Sequence, residues 1–271
     1  MAVDFIIVGA MKAGTTSLAF HLNNHPDIYI PQRELHFFDN EDNYKRGYKY
    51  YLSLFEYEGE KVVGEKTPTY SYLDKVAERI YKFNPNLKII WIFRNPIDRA
   101  YSNYWHAVEK GAEYLSFSKA IKKEPNRIKT DIWKGYLKRS IYVEQVERYL
   151  QFFNKEQMLF LLFEDFMNQP ERELKKICNF VNVNADKFEY IEEIRNKTTV
   201  PRSKIILWLF RKIFGYKSRL YNITYKLNTF GKKAGYPALS NNIRLELREY
   251  FSDYNNQLEE LTGLDLSVWN G

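Results

Sequence analysis

Cysteine is almost missing: Cys178 is the only one in 271 residues, so no internal disulfide can form. A cysteine zinc cluster is excluded with it, and a reducing compartment is the expected setting. Long apolar runs are also lacking. The longest, "IILWLF" at 205–210, falls far short of the roughly 20 residues that a membrane-spanning helix needs. The first residues lead straight into strand-like sequence, with neither a basic n-region nor a cleavable apolar stretch. Cytoplasmic localisation is expected on that basis. No internal repeat and no low-complexity linker interrupts the chain.

The remaining composition is that of an ordinary globular protein, 45% hydrophobic and 28% charged, long enough to bury a sizeable core. Lysine and arginine (41) outnumber aspartate and glutamate (34), giving a net charge of +7. Anionic partners follow from that sign, although most basic residues are spread along the chain and suit a solvated surface.

Four short β-rich or apolar runs are predicted as strands: "FIIVG" (5–9), "KVVGE" (61–65), "KIIWIF" (88–93) and "MLFLLF" (158–163). Such runs suit parallel strands covered on both faces. A helical spacing of Leu73, Val76 and Ile80 lies between the second and third. After the fourth, Asn168 is expected to cap a helix opening at Pro170, with Leu174, Ile177, Cys178 and Val181 inward. A last amphipathic helix runs from "NNIRLEL" to Gly263. The alternation predicts an α/β fold, a central parallel sheet flanked by helices, in one domain over 1–271. Residues 200–231 form a candidate acceptor-side or membrane-facing helical segment.

In open sheets of this class ligands bind beyond the carboxyl ends of the strands. After the first strand comes "VGAMKAGTTSL", a glycine turn opening a helix, suited to a phosphate. Its lysine, Lys12, precedes Gly14, the reverse of the G-x-x-x-x-G-K-[ST] order. Lys66 and Thr67 follow the second strand. Arg94 follows the third, with Ser102 eight residues later on a helix. Each has a plainer reading alone: a surface lysine, a salt-bridge arginine, a helix-surface hydroxyl. Their shared place at strand ends favours a nucleotide or polyanion site. No strand-end aspartate of the Mg²⁺-holding kind is present, so no metal is expected. Glu34 and His36 in "PQRELHFFDN" are candidates for acid–base work against the apolar Phe37 and Phe38. A salt-bridge glutamate beside a core aromatic pair explains the same residues.

Taken together, these stretches resemble the sulfotransferases that use 3'-phosphoadenosine 5'-phosphosulfate (PAPS), notably the heparan-sulfate type and its bacterial relatives. "VGAMKAGTTSL" is similar to the family's phosphosulfate loop and "IFRNPIDRAYSNYWH" to its 3'-phosphate motif. "RELHFFD" resembles the catalytic-glutamate segment, "GEKTPTY" the second lysine motif, and "GKKAGYP" the late nucleotide-covering loop. "SIYVEQVERYLQFF" followed by "EDF" (140–166) keeps the bacterial pattern. The likeness spans residues 5 to about 265 in order.

The resemblance implies a P-loop-like PAPS fold and sulfuryl transfer to an acceptor hydroxyl by in-line displacement, releasing adenosine 3',5'-bisphosphate (PAP). It places Lys12, Ala13, Gly14, Thr15, Thr16 and Ser17 around the phosphosulfate. Arg94 and Ser102 take the 3'-phosphate, Tyr142 joins the nucleotide site, and Lys232, Lys233, Ala234, Gly235 and Tyr236 close over it. Glu34 is the implied general base, Lys12 and Lys66 the sulfuryl-side cations, and His36 a residue that orients the acceptor or assists. Thr16 stands where some heparan-modifying members carry arginine, which weakens the expectation of a glycosaminoglycan acceptor. Carbohydrate, lipid and small-molecule acceptors stay open. A P-loop kinase or NTPase is the alternative, needing lysine after glycine and a strand-end aspartate. A nucleic-acid-binding role has no familiar recognition motif behind it, and no nucleic-acid partner is expected.

Overall fold

The computed structural model describes residues 3–56, 59–188, 199–232 and 235–270. Its contacts group the chain into two compact units. The first comprises Met1–Arg94, Tyr142–Ile194 and Asp253–Gly271; the second comprises Asn95–Ile141 and Arg195–Ser252.

The first unit is built on five parallel strands in the order β2-β3-β1-β4-β5. They are β1 (Phe5–Gly9), β2 (Ile28–Tyr29), β3 (Val62–Lys66), β4 (Lys88–Phe93) and β5 (Met158–Leu162). Every residue of β1 and β3 is buried, as expected where helices cover both faces of a parallel sheet. Close packing makes one glycine obligatory: a Cβ on Gly64 would lie 2.2 Å from the Phe5 ring of the neighbouring strand. The expected α/β parallel architecture is present.

Helices α1 (Thr15–Leu22), α2 (Glu41–Tyr44), α3 (Gly47–Leu52) and α4 (Val76–Phe83) precede β4. Then α5 (Pro96–Glu109), α6 (Phe117–Lys122) and α7 (Glu124–Arg127) enter the second unit. The first unit resumes with α8 (Tyr142–Leu150), α9 (Phe163–Asn168) and α10 (Pro170–Val181). A helical pair, α11 (Lys204–Phe214) and α12 (Arg219–Thr229), belongs to the second unit. Last comes α13 (Asn241–Thr262), which stops where Gly263 takes φ 77° and donates its N–H to the Glu259 carbonyl at 2.7 Å.

Several boundaries differ from expectation. β3 runs one residue further, so Lys66 is the strand's last residue rather than the first beyond it. Leu73 precedes α4 and accepts the Val76 N–H instead of joining the helix. Asn168 does not cap α10. It ends the preceding short helix, and Gln169 holds the cap position without a side-chain bond, ahead of Pro170 in the first turn. Phe163 opens α9 instead of extending β5. Two residues of β2 were too short to show as a pattern.

Strand order explains where the chemistry collects. From β1 the chain passes to the edge strand β2 and back to β3 on one side, then crosses to β4 on the other. In open sheets that reversal, here at the carboxyl end of β1, is the position where ligands bind. Lys12 follows β1, Lys66 ends β3 and Arg94 follows β4, on three adjacent strands.

Candidate active site

The loop after β1 is shaped by backbone. Lys12 and Gly14 both take positive φ, 72° and 88°, turning the chain sharply into α1. Gly14 is required twice over, because a Cβ there would also meet the Phe163 ring at 2.8 Å. As the N-cap of α1 it offers no side-chain bond, and no acidic residue sits in the first turn. The helix N-terminus therefore keeps its amide donors and positive dipole end for an anion. Ala13 and Thr15 are buried beneath the turn, Ser17 is half-buried, and Thr16 is exposed.

Arg94 lies beside this loop. Its guanidinium donates to the Lys12 carbonyl at 3.3 Å and sits 4.8 Å over the Phe163 ring. Tyr142 donates its hydroxyl to the Arg94 carbonyl at 2.9 Å, so its hydroxyl supports the arginine's backbone. Phe163 was not singled out in the sequence. It was the last residue of the predicted fourth strand, yet its ring meets Gly14 and underlies Arg94.

Glu34 meets Lys66 at 3.0 Å, and Lys66 is itself only 4% exposed. The other Glu34 oxygen lies 3.4 Å from His36 Nε2, and His36 Nδ1 contacts Asp39 at 2.8 Å. Asp39 also accepts from the Thr69 hydroxyl. The line Lys66–Glu34–His36–Asp39 thus alternates in charge. Asp39 was inside the quoted "RELHFFD" but unassigned; its three-residue spacing from His36 was the signal for it. His36 has φ 48°, uncommon for a non-glycine residue, and Asn43 Nδ2 holds its carbonyl at 2.9 Å.

Electrostatics follow from these contacts. The Asp39 hydrogen bond, aided by Glu34, pushes the His36 pKa up to about 10. Burial pushes Glu34 upward, but the His36 hydrogen bond and Lys66 outweigh it and hold the carboxyl below its ordinary range. At neutral pH the site therefore presents an ionised Glu34 between two cations.

Behind it lies a second carboxylate that sequence reasoning missed, Glu65 on β3. Tyr51 donates to one of its oxygens, and Thr67 Oγ1 donates to the other at 2.9 Å. Thr67 Oγ1 in turn accepts the Leu35 N–H at 3.2 Å, tying the residue between Glu34 and His36 to the strand. Complete burial pushes the Glu65 pKa up to about 7. A raised folded pKa means that the native state holds the proton more tightly than the unfolded chain. Stability contributed this way is present below the unfolded value near pH ~4.3 and is lost as pH rises through 7. Denaturant titrations between pH 4 and 7 should show a loss of the order of 3 kcal/mol from this group. Glu65→Gln should remove that share, and an unchanged pH slope in the variant would contradict the assignment.

The second unit holds the other nucleotide-site candidates. Ser102 is buried on α5, whose start is capped by Asn95, accepting from the Ile97 N–H at 3.0 Å. Tyr236 stacks on Trp105 at 6.3 Å and meets Tyr101 edge-on at 5.4 Å, both on α5. Gly235 pairs with Thr199 in an isolated bridge, and Lys232 is exposed. Lys233 and Ala234 lie outside the described residues. Among the described residues no cluster of histidine, cysteine and carboxylate side chains is arranged to hold a metal.

Residues 2–204 match the sulfotransferase domain family. The chain belongs to the sulfotransferase family. It is similar to mouse heparan sulfate glucosamine 3-O-sulfotransferase 5, with 29% identity over 97% of this chain and 72% of the relative. Similarity to mouse heparan sulfate glucosamine 3-O-sulfotransferase 3A1 is 26% over 98% of this chain and 64% of that protein. Among solved structures, a sulfotransferase from Alicyclobacillus acidocaldarius superposes with a TM-score of 0.76 at 30% identity, covering 100% of both chains.

Proposed function

We propose that this sulfotransferase moves a sulfuryl group from PAPS to a hydroxyl of a carbohydrate-class acceptor, with Glu34 as general base. The observation that carries the reading is the contact of Glu34 with Lys66 at a strand end beside the Lys12 loop. Base and sulfuryl-side cation are thereby held within one hydrogen bond. The named specificity of the relatives for heparan sulfate glucosamine supports a sugar hydroxyl.

The residues fit a phosphosulfate donor. The α1 N-terminus, uncapped by Gly14, offers amides to the 5'-phosphate, and Arg94 offers a guanidinium suited to a second phosphate. Lys12 stands at the loop, where a cation stabilises charge developing on the oxygen that leaves sulfur. Lys66 stabilises the transferring group. An anion approaching Lys66 competes with Glu34 for the ammonium, and Glu34 becomes a stronger base as that contact weakens. Glu34 then takes the acceptor's proton. His36, held by Asp39, keeps the carboxylate oriented and, being cationic, stabilises its ionised form.

The donor reading has a direct test in thermal unfolding. PAP should raise the melting temperature, and AMP should do so far less, because only PAP carries the 3'-phosphate assigned to Arg94. A native-state ligand at 100 times its dissociation constant stabilises by about 2.7 kcal/mol, readily seen as a shift. Equal shifts for PAP and AMP would overturn the assignment.

A further inference from the structure

The helical pair of the second unit buries only one side. Leu207 of α11 and Tyr221 of α12 are both buried, and Tyr221 donates its hydroxyl to the Glu109 carbonyl at the end of α5. Arg211 donates to the neighbouring Lys110 carbonyl at 2.8 Å. A Cβ on Gly111 would strike both the Leu207 carbonyl and the Tyr221 ring, so both helices press on this one corner.

Their opposite sides are apolar and exposed. On α11, Ile205, Leu209 and Ile213 recur at four-residue steps and form one stripe, with Ile213 68% exposed. On α12, Leu220, Ile223 and Leu227 recur at three and four, with Leu227 67% exposed. At about 100° per residue, the α11 stripe lies roughly opposite Leu207, and the α12 stripe faces away from Tyr221. Phe230, just beyond α12, is 76% exposed. Isolated exposed leucines need no explanation, but a double stripe on two packed helices does.

Charge identifies the occupant. Between residues 201 and 240 there are nine lysines and arginines and no aspartate or glutamate. Lys212, Lys217, Arg219 and Lys226 are exposed around the stripes. Trp208, on the flank of α11, lies between the Tyr114 ring and the Lys212 ammonium, 4.5 Å from its ring. Aliphatic stripes bordered by cations and an amphipathic aromatic suit the boundary between headgroups and acyl chains. No helix among the described residues is long and apolar enough to cross a membrane, so contact would be with the surface.

We propose that the outer face of α11 and α12 docks on anionic lipid membranes, the stripes entering the acyl boundary and the basic rim meeting the headgroups. This inference is independent of the transfer reaction and of its acceptor.

Flotation of the full chain with vesicles of phosphatidylcholine, alone or mixed with phosphatidylglycerol, tests it. Partitioning should be at least roughly ten-fold stronger onto the anionic vesicles and should weaken as salt is raised. Ile213→Glu and Leu227→Glu, both at exposed positions, should reduce it by a similar factor while leaving the melting temperature and PAP binding unchanged. The inference is overturned by absent binding of the wild-type chain, by equal binding to neutral vesicles, or by folded variants that still float. Concentration-dependent self-association abolished by these substitutions, without vesicle binding, would assign the face to a second copy instead.

Discussion

Glu34→Gln should lower kcat by about 10²-fold or more while leaving PAP affinity nearly unchanged, the usual scale for removing a general base. The amide keeps the size of the side chain and can still accept a hydrogen bond from Lys66, so the local frame should survive. What it loses is the capacity to take a proton. The low pKa of Glu34 also means that the ionised base is present throughout the neutral range. The wild-type rate should therefore show no acidic limb near pH 6. Turnover by the variant within a few-fold of wild type would make Glu34 structural. Isothermal titration with PAP, run beside single-turnover kinetics, separates loss of chemistry from loss of binding.

Lys12→Ala should act on the other end of the reaction. A cation aimed at the leaving oxygen stabilises charge that grows only as the bond to sulfur breaks, so its loss should fall mainly on kcat. A decrease of roughly 10²- to 10³-fold is expected, the range seen when one preorganised donor is removed from a developing anion. PAP should still bind, because the amides of the α1 N-terminus and Arg94 remain. The loop conformation should also survive: Ala can occupy the 72° φ of Lys12, though at some cost in strain. A variant with normal kcat and a raised KM for PAPS would show that Lys12 contributes uniform binding instead.

The two variants differ in how far sequence alone pointed to them. Lys12 stood out because a glycine turn between a strand and a helix has few purposes, and its inverted order set it apart from ordinary nucleotidases. Strands such as β1 and β4 were legible as largely apolar runs, since burial on both faces leaves few polar positions to disguise them. Glu34 was harder. A single carboxylate before two phenylalanines reads more readily as a salt bridge, and the partner it meets, Lys66, lies 32 positions away in sequence. Glu65 and Asp39 were hidden because partners distant in sequence, Tyr51 and Thr69, are brought to them by packing. Short features such as β2, and ends such as Asn168, were missed because local propensity over a few residues is weak against tertiary context. The exposed stripes on α11 and α12 were visible as helical spacing, but which side faced the protein needed the structure.

The pairing of donor and base is tested most directly by following label from sulfur-labelled PAPS into a panel of hydroxyl acceptors that includes glucosamine-containing polysaccharides. Wild type should deliver label to an acceptor oxygen with one PAP released per transfer, and Glu34→Gln should release PAP and product together at about one hundredth of that rate or less. Label retained on PAPS across the whole panel and a cell extract, by protein that binds PAP normally, would contradict the account.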